Sequence, residues 1–225
     1  MYLKDSKVLY VHVPKTGGQS VSQYLYNVAG LDPNTFDKQD NQTKATSIEE
    51  LYNSERPNER FLYLKNSDFT VPGPVSLTHM TMDEYVDNGY ISERDLKNTL
   101  VFATIRNPYT RLASACVFRS VRPNWKAMKQ IIDGDKDREI YRHFMRQTEY
   151  LTFRGKIYPD TYIAKTENLK EDLNNIFEIE SSIDRLNAGR RNPDNLHFNK
   201  DTLKWINDHY YDDFVALNYK MKNVS

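Results

Sequence analysis

Lys7-Val-Leu-Tyr-Val-His-Val-Pro-Lys-Thr-Gly-Gly-Gln-Ser20 is the stretch from which the rest of the chain is read. From Lys7 to Val13 the side chains are mostly β-branched, aliphatic and aromatic, which predicts a short buried strand. Pro14 ends it, because proline cannot donate to a central ladder. After Ser20 the apolar residues Val21, Tyr24, Leu25 and Val28 recur at helical spacing. The stretch therefore reads as strand, glycine loop, helix start. Such a junction is either an anion cradle or a βα turn that binds nothing, and folding alone does not require the lysine. Gly17 and Gly18 let the backbone turn its N–H groups toward a ligand. The helix N-terminus adds partial positive charge, Lys15 a full charge, and Thr16, Gln19 and Ser20 polar side chains. An ordinary nucleoside-triphosphate loop carries its lysine after the last glycine, whereas Lys15 precedes both.

The whole chain bounds what such a cradle serves. Its 225 residues suit one α/β domain, taken as residues 1–225. The formal net charge is zero, so long-range attraction to nucleic acid or to an anionic membrane is not expected. No run of about 18 apolar residues exists to span a membrane. The N-terminal residues lack the apolar core of a secretory signal. The expected setting is therefore soluble and cytoplasmic. The single cysteine, Cys116, excludes an intrachain disulfide and a cysteine-rich metal site, and reads as a small core residue. No cluster shows metal-ligand spacing, so no metal is expected.

Further strands are predicted at Val75-Ser-Leu-Thr-His79, at Thr99-Leu-Val-Phe-Ala-Thr-Ile105 and at Tyr162-Ile-Ala-Lys165, with an edge strand at Phe61-Leu-Tyr-Leu64. Helix starts are marked by the caps Ser47, Thr81 and Ser92, each followed by carboxylates. Residues 31–74 read as a polar insertion or lid, and 181–200 as a long loop holding Arg190 and Arg191. Strands alternating with helices predict a mainly parallel sheet flanked on both faces. Ligands of such sheets bind at the carboxyl ends of the strands. Lys15, His79, Arg106 and Glu167 all fall there.

Arg106 follows the clearest core strand directly, and Ser114 lies two helical turns further on. An arginine and a hydroxyl so placed can hold one phosphate between them. Equally, Arg106 can pair with a core carboxylate, and Ser114 can be an ordinary small helical residue. With the first loop they describe two anion pockets, which suits a nucleotide phosphorylated at two places.

Val13-Pro-Lys-Thr-Gly-Gly-Gln-Ser20 resembles the 5′-phosphosulfate loop of the sulfotransferases, especially the carbohydrate group that includes the heparan sulfate 2-O- and 6-O-sulfotransferases. Thr104-Ile-Arg-Asn-Pro-Tyr-Thr-Arg-Leu-Ala-Ser-Ala115 resembles the family's 3′-phosphate loop. Residues 146–151 and 162–169, and the ending around Tyr210 to Tyr219, are similar to later stretches of that group. The resemblance implies a P-loop-like, three-layer α/β domain that binds 3′-phosphoadenosine 5′-phosphosulfate (PAPS). Sulfuryl transfer to an acceptor hydroxyl, most naturally on a carbohydrate, would leave 3′-phosphoadenosine 5′-phosphate. Lys15 would meet the 5′-phosphate and the bridging oxygen. Thr16, Gly17, Gly18, Gln19 and Ser20 would cradle the phosphosulfate, and Arg106 with Ser114 the 3′-phosphate. Arg190 and Arg191 would lie in a loop covering the nucleotide.

His79 is the candidate base, since histidine's pKa suits removal of the acceptor's proton. The other reading of His79 is a cap for the next helix, and Glu84 is the fallback base. His12 reads as structural. Arg119, Arg122, Lys126, Lys129 and Arg142 either line a cleft for an acidic sugar or form a solvated face, and His143 is a separate candidate for substrate contact. Two alternatives stand beside sulfuryl transfer: a P-loop kinase of a small molecule, and a non-catalytic nucleotide-binding protein of the same fold.

Overall fold

Alternation along Val8–Val11 decides how the layers stack. A computed structural model describes residues 1–28, 42–55, 62, 64–179 and 196–224. In chain order its strands are β1 (Tyr2–Leu3), β2 (Val8–Val11), β3 (Leu100–Ile105), β4 (Thr152–Phe153), β5 (Lys156–Ile157) and β6 (Thr161–Lys165). Its helices are α1 (Gly18–Val28), α2 (Ile48–Asn53), α3 (Met82–Asp87), α4 (Glu93–Leu96), α5 (Pro108–Arg119) and α6 (Trp125–Ile132). They continue with α7 (Glu139–Arg142), α8 (Gln147–Leu151), α9 (Leu169–Phe177), α10 (Lys200–His209) and α11 (Tyr211–Ala216).

Because side chains alternate across a strand, Leu9 and Val11 point to one side of the sheet and Tyr10 to the other. Leu9, Val11, Val101, Ala103 and Ile105 pack with Leu51, Met82, Tyr85, Leu96 and Tyr150. Tyr10, Phe102 and Ala164 pack with Val21, Tyr24 and Leu25 of α1 and Leu173 of α9. Both faces are thus covered, which is why β2 and β3 read as continuous apolar runs rather than alternating ones. A third cluster joins α5, α6, α10 and α11 through Leu112, Cys116, Met128, Ile206 and Phe214. Cys116 is a core residue, as its sequence context predicts, and burial raises its thiol pKa to about 12.

The main sheet has the order β1-β2-β3-β6. β2, β3 and β6 are parallel, with Tyr10 opposite Phe102 and Phe102 opposite Tyr162, while β1 runs antiparallel to β2. Parallel direction brings the residues that follow β2, β3 and β6 to one edge. There stand the loop Lys15–Ser20, the Arg106–Asn107 turn and the Thr166–Asn168 turn. β4 and β5 form a separate small hairpin.

Several expectations are corrected. Val75–His79 is not a strand of the sheet: Leu77–His79 is a 3-10 turn, and Ser76 makes only an isolated bridge to Lys65. The apolar run there is explained by Leu77, which is buried and donates its N–H to Leu64 O at 3.0 Å. Phe61 and Tyr63 of the expected edge strand lie outside the described residues, and Lys65 beyond it makes only isolated bridges. The described parts of 31–74 do not form a surface lid. Ala45, Leu51, Leu62, Leu64 and Val71 are buried in the core beneath the sheet. The two-residue β1 was not expected, being too short to show periodicity. Ser47, Thr81 and Ser92 cap α2, α3 and α4, each accepting a backbone N–H three residues on. Among the described residues no helix is long and apolar enough to cross a membrane.

Candidate active site

The loop from His12 to Ser20 is shaped by backbone conformation before any side chain acts. Lys15 has φ 71° and Gly17 φ 90°, both in the left-handed region. Gly17 takes that conformation without penalty, whereas Lys15 is in a conformation that non-glycine residues rarely adopt. Gly18 is required for a different reason. A Cβ there would stand 1.8 Å from His12 Nε2, so the imidazole lies directly against the start of α1. The first-turn amides of α1, at Gly18, Gln19 and Ser20, have no partner within the helix, and no acidic side chain occupies that turn.

The loop is fastened from three sides. The Thr16 hydroxyl donates to Val13 O at 2.7 Å and meets Thr104 Oγ1 at 2.7 Å, which in turn meets Tyr10 OH at 2.6 Å. Thr16 is fully buried, so its side chain locks the loop to β3. Sequence reading aimed this hydroxyl at a phosphosulfate. The structure turns it inward, because a small β-branched hydroxyl completes a buried hydrogen-bonded chain there. The Thr166 hydroxyl lies 2.8 Å from both Thr16 O and Ile105 O. Arg111, with no exposed surface, donates to Pro14 O at 3.1 Å and Met145 O at 2.8 Å, with His143 O at 3.4 Å.

Lys15 places its ammonium 3.8 Å over the Phe118 ring. Among the described residues no carboxylate stands within ion-pair distance of it. Burial, with the charges of Arg106 and Arg119, pushes Lys15 down to about 8. Arg106 is half-buried at the end of β3. Gln147 grips its peptide on both sides, accepting Arg106 N–H at 2.9 Å and donating to Arg106 O at 2.8 Å. Its Nε donates to Thr110 at 3.0 Å. Ser114 is half-buried in the middle of α5, Gln19 is exposed, and Ser20 is buried in the first turn of α1. Glu167 is exposed and holds two hydrogen bonds of its own. Its two oxygens accept Asn107 N–H at 2.8 Å and Tyr219 OH at 3.0 Å, bracing the turn after β3.

Beside the loop stand three histidine rings. His12 meets His79 edge-on at 4.9 Å between centroids, and His79 meets His143 edge-on at 5.4 Å. His143 stacks on Phe118, 10° from parallel, so the row reaches the Lys15 ammonium. His79 Nδ1 bonds Glu139 Oε1 at 2.6 Å. Burial lowers His79 to about 3, helped by Arg142, Arg119, the N-terminal amine and Lys15, so it is a neutral imidazole at neutral pH. Glu84 is committed elsewhere. It closes the capping box of α3 by accepting Thr81 N–H, and it pairs through both oxygens with Arg142. Arg142 also donates to His79 O at 2.9 Å.

Arg119 Nη2 lies 3.1 Å from His143 Nδ1 and 3.4 Å from Glu139 Oε1. His79, Glu139 and His143 offer metal-ligating atoms within 4.8 Å of one another, and this guanidinium supplies a positive charge beside them. Arg122 is exposed just beyond α5. Arg190 and Arg191 lie outside the described residues. So the structure brings Lys15, Arg106, Arg119, His79 and His143 to one edge of the sheet and ties Glu84 into an ion pair. Sequence reading missed Glu139, Arg111 and Gln147. Arg111 did carry a signal, an arginine directly before the apolar Leu112, Ala113 and Ala115. Glu139 carried none, in a polar run of charges.

Fold and site together describe an α/β protein with a cationic edge at the carboxyl ends of its parallel strands. A family model described as Sulfotransferase family matches residues 1–220, and the chain belongs to that family. Members of the family are transferases of sulfuryl groups and typically use PAPS. No curated protein and no solved structure matches the chain. The family assignment leaves the kinase alternative without support.

Proposed function

We propose that this chain transfers the sulfuryl group of PAPS to an acceptor hydroxyl on a carbohydrate. The observation that carries the reading is the gathering of three cationic side chains, Lys15, Arg106 and Arg119, at the loop. Arg106 and Arg119 are near enough to Lys15 for their charges to lower its pKa, and Lys15 has no carboxylate partner among the described residues. Such a cluster is costly until a polyanion enters it. A nucleotide bearing a 5′-phosphosulfate and a 3′-phosphate is a ligand of that charge.

PAPS, when bound, supplies an electrophilic sulfur whose bond to the 5′-phosphate oxygen breaks as the acceptor oxygen bonds to it. Lys15 neutralises charge on the departing phosphate oxygen, where a cation lowers the barrier most. First-turn amides of α1, with Ser20, hold the phosphosulfate, and Arg106 with Ser114 holds the 3′-phosphate. His79, neutral at rest, takes the acceptor's proton through Nε2. Thr16 serves by holding the loop in shape. The carbohydrate acceptor rests on the resemblance of both loops and the later stretches to glycan enzymes. Arg122 and Arg119 are the cations at hand to meet acidic groups on it.

Transfer of labelled sulfate from PAPS to a panel of glycans and small hydroxyl compounds tests this. Lys15→Ala is expected to lower kcat by on the order of 100-fold or more, and His79→Ala by about 100-fold. Full activity in Lys15→Ala would refute the assignment of the loop.

A further inference from the structure

We infer that Glu139 is the positioning carboxylate of His79, so that the base is a carboxylate–imidazole pair rather than a lone histidine. The inference rests on the reading of His79 as base and goes beyond it, to a residue sixty positions away that no motif marks.

The geometry has four parts. First, Nδ1 of His79 and Oε1 of Glu139 are 2.6 Å apart, shorter than the contacts of the same oxygen with Arg119 at 3.4 Å and His143 at 3.7 Å. His79 is thus its closest partner. Second, α7 holds His79 at two points. Glu139 takes the ring, and Arg142, three residues on and therefore on the same helical face, takes the His79 carbonyl at 2.9 Å. Arg142 is fixed in turn by Glu84. Third, His12 and His143 stand edge-on to the ring at 4.9 and 5.4 Å and limit its rotation. Fourth, His79 Nε2 makes no hydrogen bond among the described residues.

A neutral imidazole carries one N–H. A carboxylate at Nδ1 requires the proton there and leaves the lone pair on Nε2. That is the tautomer a base needs. As the acceptor oxygen bonds to sulfur, its proton passes to Nε2, and the imidazolium so formed lies beside a carboxylate. The carboxylate offsets the surrounding cations (Arg119, Arg142 and Lys15), which otherwise oppose protonation of His79. A carboxylate there merely to pair Arg119 would have its shortest contact with the guanidinium.

The test uses the full chain. Glu139→Gln keeps the size of the side chain but removes the negative charge that steadies the imidazolium, whichever end of the amide meets Nδ1. Its expected effect is a kcat lowered by about 100-fold, with KM for PAPS and affinity for 3′-phosphoadenosine 5′-phosphate changed less than about twofold. Glu139→Asp should recover part of the lost kcat. Nitrogen NMR of ring-labelled wild-type protein should find the His79 proton on Nδ1, and this measurement stands even if the Gln variant fails to fold. A His79 proton on Nε2 in the wild type would overturn the inference. So would a folded Glu139→Gln enzyme with unchanged kcat while His79→Ala is inactive. If His79→Ala itself keeps full kcat, the reading of His79 as base has failed instead, and the two failures are told apart by that variant.

Discussion

Gly18→Ala puts the packing of the loop to a quantitative test. The added Cβ would lie 1.8 Å from His12 Nε2, 2.2 Å from Cε1 and 2.6 Å from Cδ2. Ordinary carbon contacts begin near 3.5 Å, so ring or helix must retreat by roughly 1.7 Å. His12 has little room to yield, being 8% exposed, stacked on Tyr10 at 5.3 Å and edge-on to His79. Overpacking of this kind costs about 1–3 kcal/mol. Alanine's helix advantage over glycine, up to about 1 kcal/mol, offsets part of it. The expected net loss is about 1–2 kcal/mol, or a Tm lowered by about 3–6 °C for a chain of this size. Affinity for 3′-phosphoadenosine 5′-phosphate should fall at least about tenfold, because hydrogen bonds of about 2.9 Å do not survive displacement of the first-turn amides by more than an ångström. Thermal unfolding and calorimetric titration read the two effects. The variant His12→Ala/Gly18→Ala, with the ring removed, should be more stable than Gly18→Ala alone, a coupling between contacting residues. A Gly18→Ala protein with the wild-type Tm and affinity would refute the reasoning.

Arg111→Leu should cost about 1–3 kcal/mol for each stranded carbonyl in urea unfolding, since it strips buried donors from Pro14 O and Met145 O. Arg111→Lys, which cannot span these carbonyls together, should recover only a minor part. Affinity for 3′-phosphoadenosine 5′-phosphate should weaken as pH rises above about 8, where Lys15 loses its charge. Because the bound anion favours protonated Lys15, binding there should take up protons, and Lys15→Ala should abolish both effects. Glu84→Gln should lower stability by about 1–3 kcal/mol yet leave the shape of the pH–rate profile intact, as befits a partner of Arg142 rather than a base.

The first loop and β3 were legible because their chemistry is local. An apolar run, a proline stop, two glycines and a helical apolar spacing lie within one stretch, and the helix caps likewise act within three residues. Val75–His79 misled because a loop that buries Leu77 and Thr78 against the sheet shows the same apolar character as a strand within it. Thr16 misled because a hydroxyl's direction depends on Thr104 and Tyr10, which reach it only through the parallel pairing of β2 and β3. The roles of Glu139 and Arg111 were not legible for the same reason, although the apolar neighbours of Arg111 marked it as unusual. Their partners are separated from them in sequence by sixty residues and by ninety-seven. Glu84 has the residue type of a base, and only the approach of Arg142 reveals its ion pair.

The most direct test of the two-pocket site is a calorimetric titration of the full chain with 3′-phosphoadenosine 5′-phosphate, with ATP plus magnesium in parallel. Micromolar binding of the former, lost in Arg106→Ala, and far weaker binding of ATP are expected of such a site. Binding of ATP with magnesium, and none of the bisphosphate, would contradict it.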